Sequence, residues 1–488
     1  MTPFSKTETM NKDDKQARAL TSRDVTSNAH NAALLDQIRR NNCLKLSIVS
    51  RDVAAYNYNI RFTADDGDDM YWLGYFIGRC TSLLNLCISG EESGRDRDAL
   101  MRGVNSNRSV EVFELYDHLD FDISLLDNFC ANNPKLESLT LDGNDIGDAG
   151  VVTLMKSLAN HPQLNNLSLG SNNIGRVGCV ALSSMQSCTS GCGWVVPCLV
   201  QLDLSYNRID DTGLEALASS LASSTTLKRL NLSSNTFITS SGLRSLSALL
   251  HSENCRLEDL HLESMPIGDD GADALAAGLT GNVSVKRLMF SSDVAGSITE
   301  LGWSSFSRLL CDTSSINSIH KSNHTLEQIG DTVMTAVPRG HDLRHYLMLN
   351  TSANLHRTAQ IKILMHNIDL DIEPFYVYNL KFLPLLVHWF ESGILCRNHL
   401  KSKESLRTFR SRKLSVVYKF VRSMPMLVAD AHWNRMLGLV HLKKKMICEK
   451  KDIIHEKKRK LDLELQKLNE DAQRLGEDEM SLLKRVRH

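Results

Sequence analysis

The stretch LESLTLDGNDIGDAGVVTLMKSL, residues 136–158, changes its apolar period partway along. Leu136, Leu139 and Leu141 follow the pattern LxxLxL, and the last two, two residues apart, point to one face of a short strand. Beyond Asn144, Val151, Leu154, Met155 and Leu158 fall at i, i+3, i+4 and i+7, which is the helical rule. The same reading returns in LNNLSLGSNNIGRVGCVALSSM from Leu164, LVQLDLSYNRIDDTGLEALASSL from Leu199 and LKRLNLSSNTFITSSGLRSLSALL from Leu227. Two further copies are LEDLHLESMPIGDDGADALAAGL from Leu257 and VKRLMFSSDVAGSITELGWSSFSRLL from Val285. Weaker ones, CLKLSI from Cys43, LLNLCI from Leu83 and VEVFEL from Val110, precede them, for roughly eight or nine units in all.

Each unit is thus a strand followed by an antiparallel helix, and no unit can bury its apolar face alone. Neighbours must stack, with a parallel sheet inside and helices outside, and because a helix is wider than a strand the stack curves with its strands on the concave side. Asn144, Asn172, Asn207 and Asn235 recur at the turn after the strand, where a short amide side chain satisfies backbone groups that a sharp turn leaves unpaired. Gly150, Gly178, Gly213, Gly242 and Gly271 are read as allowing the tight passage from turn to helix. The expected fold class is α/β: a solenoid with N- and C-terminal caps over residues 29–335, preceded by a disordered tail at 1–28. An all-α module is expected at 336–434 and a long basic helix at 435–488.

This pattern resembles the ribonuclease-inhibitor class of leucine-rich repeats, to which the Ran GTPase-activating protein and the sensor regions of NOD-like receptors belong. Two positions depart from it: Met265 and Asp293 stand where the turn asparagine belongs, so the ladder is expected to loosen toward the C-terminal end. Further on, KSNHTL, KILMH, LKFLPLLVHWF and RKLSVVYKFVRSMP resemble the C-terminal portion of a family of leucine-rich-repeat proteins abundant in diatoms. That resemblance implies a fold and brings no activity with it.

Composition narrows the class. The chain has 488 residues, 42% hydrophobic and 23% charged, with a formal net charge of −1, as expected of globular units and not of a disordered or fibrous chain. No apolar run reaches the roughly 18 residues of a membrane-spanning helix. The N-terminus lacks an apolar h-region, so a cytoplasmic location is expected, or a nuclear one, with the twelve cysteines as free thiols. Charge is uneven: from Arg397 to His488 there are 24 Lys and Arg against 12 Asp and Glu, and before it 32 against 45.

Motifs for chemistry are sparse. There is no GxxxxGK[ST], no HExxH, no GxSxG and no GxGxxG after a strand, so no catalytic residues, metal or cofactor are expected and the chain is read as non-enzymatic. The insertion SCTSGCGWVVPC carries Cys188, Cys192 and Cys198 near Cys179, but without the CxxC pair of a zinc site. His341 and His345, i and i+4 apart, have no partner motif. NxS/T sequons such as those at Asn166 and Asn231 lie inside repeat strands and are read as chance.

The register projects Asp142, Asp203, Arg229, Asp259, His261, Glu263 and Arg287 onto the concave face, a polar surface that suits a protein ligand with charged groups and disfavours nucleic acid. The expected function is a protein-interaction scaffold. GTPase activation of the Ran-activator type is the rival that the resemblance implies, although that family has an acidic tail and no catalytic residue maps here. A third reading is a nucleic-acid or acidic-surface binder working through the basic tail. In that tail Val440, Ile447, Ile454, Leu461, Leu468, Leu475 and Leu482 recur every seven residues, while the companion row holds Lys444, Lys451 and Lys458 before Leu465, Ala472, Glu479 and Val486. Two readings follow: self-association through residues 440–486 as a coiled coil, or a single long charged helix, because lysines at the core position weaken association.

Overall fold

A computed structural model describes residues 16–50, 61–64, 69–89, 94–117, 122–159, 161–184, 198–291, 298–330, 343–351, 355–366, 455–471 and 473–476. The chain divides into two units, Met1–Asn367 with Leu386–His399, and Ile368–Leu385 with Leu400–His488. In the first, eleven parallel strands form one sheet: β1 Lys45–Ser50, β2 Arg61–Ala64, β3 Asn85–Ser89, β4 Val112–Tyr116, β5 Ser138–Thr140, β6 Asn166–Ser168, β7 Gln201–Asp203, β8 Arg229–Asn231, β9 Asp259–His261, β10 Arg287–Met289 and β11 Gln328–Ile329. From β3 to β11 neighbours in space are neighbours in sequence, and Leu139, Leu167, Leu202, Leu230, Leu260 and Leu288 stand in one register across six strands.

The helices are α1 Ser22–Val25, α2 Ala29–Arg39, α3 Met70–Arg79, α4 Gly94–Val104, α5 Asp127–Asn132, α6 Gly147–Leu158, α7 Arg176–Ser184, α8 Asp211–Leu221, α9 Ser240–His251, α10 Gly268–Leu279, α11 Glu300–Leu310, α12 Ile316–Lys321, α13 Leu343–Asn350 and α14 Leu355–His366. Their apolar stripe faces the sheet, so Leu154, Leu182, Leu217, Leu246, Leu275 and Phe306 join the strand leucines in one continuous core. Each such side chain contributes about 1.5–3 kcal/mol by leaving water. The strands are mostly three residues long, so order has to come from the stacking of one coil on the next.

The turn asparagines carry that stacking. Asn172 donates through Nδ2 to Leu141 O at 2.7 Å in the preceding coil and to Gly170 O at 2.9 Å in its own. Its Oδ1 accepts from the backbone N–H of Asn144 at 3.0 Å and of Ile146 at 3.3 Å. Asn207 does the same with Leu169 O and the N–H groups of Asn172 and Ile174, and Asn235 with Leu204 O and Ile209 N–H. Asn144 reaches Leu115 O. At the next coil Met265 fills the position with an apolar side chain, 2% exposed.

A second amide ladder, absent from the sequence reading, lines the opposite turns. Asn107 donates to Ile77 O and Cys80 O and accepts from Ser109 N–H; Asn133 donates to Asn107 O; Asn323 donates to Leu279 O and Asn282 O and accepts from Thr325 N–H. Three of its members begin the sequons Asn107-Arg-Ser, Asn282-Val-Ser and Asn323-His-Thr. Here the pattern is a buried turn in which Ser109 and Thr325 add hydroxyl bonds to the preceding coil.

Several expectations are corrected. The tail expected through residue 28 is packed from residue 16: Ala17 and Val25 are buried, and Arg39 donates to Leu20 O and Ala17 O. CLKLSI is not the sheet edge, because β2 pairs with its outer side, and the Asn31 amide bonds the Thr63 backbone N–H and C=O there. The five glycines lie within helices and have no left-handed φ; they serve close approach, since a Cβ at Gly242 would sit 2.5 Å from Asp211 Oδ1, which accepts from Thr239 N–H. Left-handed backbone occurs instead at the residue before the turn asparagine, as at Gly143, Ser171, Tyr206 and Ser234. In SSINSIHKSNHTLEQIG, residues 314–330, the helical spacing fades and a cap without a helix is the reading, yet the chain forms α12 there and adds β11. Of the all-α module α13 and α14 are described; its remainder and most of the basic tail lie outside the described residues.

The C-terminal end of the stack is closed by Lys362 of α14, which is fully buried. Its amine lies 2.7 Å from Leu310 O, 3.1 Å from Asn323 O, 2.9 Å from Asn350 Oδ1 and 3.3 Å from His324 Nδ1, with no acid among these four. Burial pushes its pKa down to about 7. Burial, with Lys362 beside it, also lowers His324 to about 4, which keeps its ring neutral at pH 7.

Replacing Asn172 with Leu should destabilise the chain by roughly 2–4 kcal/mol, because four buried backbone groups lose a partner; an unchanged urea midpoint would show that the ladder is dispensable. Lys362 titrates near 7 folded and near 10 unfolded, so the unfolded chain binds the extra proton between those values and stability rises with pH across that window. The folding equilibrium should gain up to about tenfold per pH unit there relative to Lys362→Met. Parallel pH profiles for the two proteins would contradict this.

Candidate functional site

Because side chains alternate along a strand, the sheet face away from the helices shows one row for each odd strand position. The first row reads Ser138, Asn166, Gln201, Arg229, Asp259, Arg287 across the paired strands, and the third position reads Thr140, Ser168, Asp203, Asn231, His261, Met289. The seven residues singled out from sequence divide into three groups on this face.

The first is a clamp. Asp259 sits between two guanidiniums in strict register, with Arg229 Nε 3.1 Å from its Oδ2, and Arg287 Nη2 at 2.6 Å from Oδ2 and Nε at 2.5 Å from Oδ1. Burial favours the protonated acid, yet the hydrogen bonds from Arg287 and Arg229 outweigh it and hold the carboxyl below its usual range. The Asp259 side chain is only 4% exposed, against 46% for Arg229 and 49% for Arg287. What meets solvent is therefore a pair of positioned cations, and Asp259 is their anchor. Arg229 Nη1 also donates to Gln201 Oε1 at 2.9 Å, and beside the clamp Glu258 bridges Lys228 and Lys286.

The second group is His261 with Glu263. His261 Nδ1 lies 3.2 Å from Glu263 Oε1, and Ser233 Oγ donates to Oε2 at 2.5 Å. Burial opposes ionisation of Glu263, but the bonds from His261 and Ser233 prevail and its pKa is lowered.

The third holds the acids of the middle coils. Asp142 accepts from Ser168 Oγ at 2.7 Å and Gly170 N–H at 2.8 Å; burial raises its pKa, with Asp203 and Asp117 adding to the rise against those bonds. Asp203 accepts from Ser205 N–H and Oγ and from Asn231 Nδ2 at 2.7 Å. Most of the acidity expected of this surface is spent on joining neighbouring coils. The turn asparagines Asn144, Asn172, Asn207 and Asn235 are buried and present no surface.

Two aromatic residues on this edge were not singled out from sequence. Tyr206, on the turn after β7, is 66% exposed and has φ +55°; Phe237, on the turn after β8, is 56% exposed. Tyr206 stands where other coils have Gly143, Ser171, Ser234 and Ser264, and a bulky side chain in left-handed backbone is strained. An aromatic at that repeat position was the available signal.

Burial pushes the thiol of Cys179 up to about 12 and that of Cys43 up to about 11, which keeps these two protonated. Cys198 is exposed and donates to Pro162 O, whereas Cys188, Cys192 and His341 lie outside the described residues. Among the described residues no group of three or more His, Cys, Asp or Glu could hold a metal ion, and no helix is long and apolar enough to cross a membrane.

A family model described as "Leucine Rich repeat" matches residues 132–155, 197–218, 223–247 and 253–276. Solved structures similar to the chain include the actin-binding site 2 of leiomodin-1, at 16% identity over 32% of this chain and 87% of that one, with a TM-score of 0.26. A TLR13–ssRNA13 complex matches at 16% identity over 47% and 35%, with a TM-score of 0.30. The internalin InlF of Listeria monocytogenes matches at 16% identity over 58% and 93%, with a TM-score of 0.21. Four of the strand–helix coils are thus leucine-rich repeats by sequence, and the parallel sheet with its outer helices is a leucine-rich-repeat solenoid.

Proposed function

We propose that this chain is a non-enzymatic scaffold that binds a protein partner across β7–β10 and the turns following β7 and β8, in a solenoid of the ribonuclease-inhibitor-like class. The observation that carries the reading is the clamp: Asp259 fixes Arg229 and Arg287 side by side while leaving about half of each exposed. Each guanidinium has five N–H donors in a rigid fork, more than Asp259 and Gln201 use, so both present donors suited to carboxylates of a partner. Fixing them in advance lowers the entropy lost on binding.

Tyr206 and Phe237 supply the apolar part. Aromatic and arginine side chains are the residue types that dominate interface energetics, and here both types occur on β7, β8, β10 and their turns. A partner with an acidic segment and an apolar pocket complements this surface. The seven residues named from sequence keep distinct parts in it: Arg229, Arg287, His261 and Glu263 face the partner, and Asp142, Asp203 and Asp259 position their neighbours.

The test is the affinity of the captured partner for single variants. Arg229→Ala and Arg287→Ala should each weaken binding by about 1–3 kcal/mol with the fold retained, because the remaining arginine still neutralises Asp259. Wild-type affinity in both would move the binding surface off these strands. Tyr206→Gly should weaken binding while raising the unfolding free energy by about 0.5–1 kcal/mol, since glycine adopts positive φ without strain. A loss of stability in that variant would contradict the strain argument.

A further inference from the structure

We propose that the helix at 455–476 is one strand of a parallel two-stranded coiled coil whose other strand is a second copy of this chain. Residues 455–471 and 473–476 are helical, and every described side chain in them is exposed. Leu461, Leu465, Leu468 and Leu475 are 68%, 60%, 65% and 69% exposed. Leu461, Leu468 and Leu475 are seven apart and Leu465 lies four after the first, so they occupy d and a positions, with Ala472 at the next a in the sequence. A solitary helix in water has no means of hiding such a row, and helices of this kind persist by packing the row on a partner.

The shape of the row selects the partner. Leu463, 58% exposed, lies off the row at f, and the leucines at d and a make a narrow seam flanked at e and g by Lys457, Asp462, Glu464, Asn469 and Asp471. A helix lying on a membrane needs a broad apolar face with cations around it, and the acids here oppose that arrangement. A period of seven, in contrast, matches another helix of the same period, and the chain supplies one in its own second copy.

Charge selects the orientation. With Leu461 at d, Lys457 is at g and Asp462 at e, and in a parallel pair a g residue faces the e residue five places on in the other helix. Lys457 then meets Asp462 of the second copy, twice by symmetry, and Glu464 meets the neutral Asn469. Reversing one helix places g against g and sets Glu464 opposite Asp471, a repulsion that also occurs twice. Leucine at d is the residue that two-stranded parallel coils carry there, and Lys458 at a disfavours larger bundles that would bury it. Lys458, at the a position before Leu461, marks where the apolar seam begins. Joined this way, two solenoids reach one partner assembly together, and avidity follows without any new contact on the sheet face.

The experiment is the mass of the full chain in solution by light scattering, with two variants. The wild type should have twice the chain mass, and the double variant Leu461→Glu/Leu468→Glu should have the chain mass, with the thermal transition of the solenoid unchanged. Under oxidation Leu461→Cys should give a covalent dimer that the wild type does not, because in a parallel pair position 461 faces itself. A monomeric wild type overturns the proposal, as does a dimer that survives the double glutamate variant. A dimer that Leu461→Cys fails to cross-link overturns the parallel arrangement. A monomeric chain that binds anionic phospholipid vesicles through the same leucines would assign the row to a membrane surface instead.

Discussion

A three-residue strand can neither bury an apolar face nor satisfy the turns at its two ends, and the structure depends on how that deficit is met. Backbone groups at a buried turn cost about 1–3 kcal/mol each if left unpaired. Asn144, Asn172, Asn207 and Asn235 meet the cost at one end of the strands by reaching into the preceding coil, and Asn107, Asn133, Asn282 and Asn323 do so at the other. An asparagine amide is suited to this because it offers two donors and an acceptor on a short stem. The amides tie coil to coil, and where Met265 fills the position with an apolar side chain the leucines of β9 and β10 still align.

The same economy shapes the sheet face. Carboxylates drawn into this face lose water, and each is tied to the coil beside it: Asp142 to Ser168 and Gly170, Asp203 to Asn231, Asp259 to Arg229 and Arg287. A surface that looks acidic as a string of letters thus presents cations at β8 and β10. The exposed arginines gain rigidity from an anion that is itself hidden, and a ligand would meet a pre-arranged pair without paying to align it.

The parts of this architecture legible in the sequence are those carried by period. Leucines two apart and then three or four apart gave strands and helices, and the recurrent asparagine gave the turn. What escaped depends on contacts between coils. The glycines between turn and helix suggest a turn when read locally, whereas Gly242 is required by Asp211 of the coil before it. The second amide ladder hides in sequons, since Asn107 and Ser109 gain their meaning from carbonyls some 27–30 residues earlier. Asp259 is a side chain in the right register, but only the flanking arginines decide that it is an anchor. Tyr206 was visible as an odd letter at a repeat position, and its left-handed backbone was not.

The two ends of the sheet show why a solenoid cannot simply stop. An end coil lacks a neighbour, so its turn and strand groups need donors or acceptors from some other element. At the N-terminal edge the missing neighbour is replaced by one amide, Asn31, which bonds both the N–H and the C=O of Thr63. At the C-terminal end Asn350 carries the amide ladder on to Leu326 O, and the carbonyls of Leu310 and Asn323 beside it make an acceptor-rich end that calls for a donor with no acceptor of its own. Lysine is that group: three N–H donors on a compact head, reached by a long apolar stem through the core. Its charge is costly to bury, and the fall of its pKa to about 7 is the measure of that cost. The three oxygen acceptors around it offset the cost while the amine stays charged. At this end the amide ladder, whose last rung is Asn350, shares its task with an ionisable group, and through Lys362 the stability of the repeats becomes coupled to proton concentration.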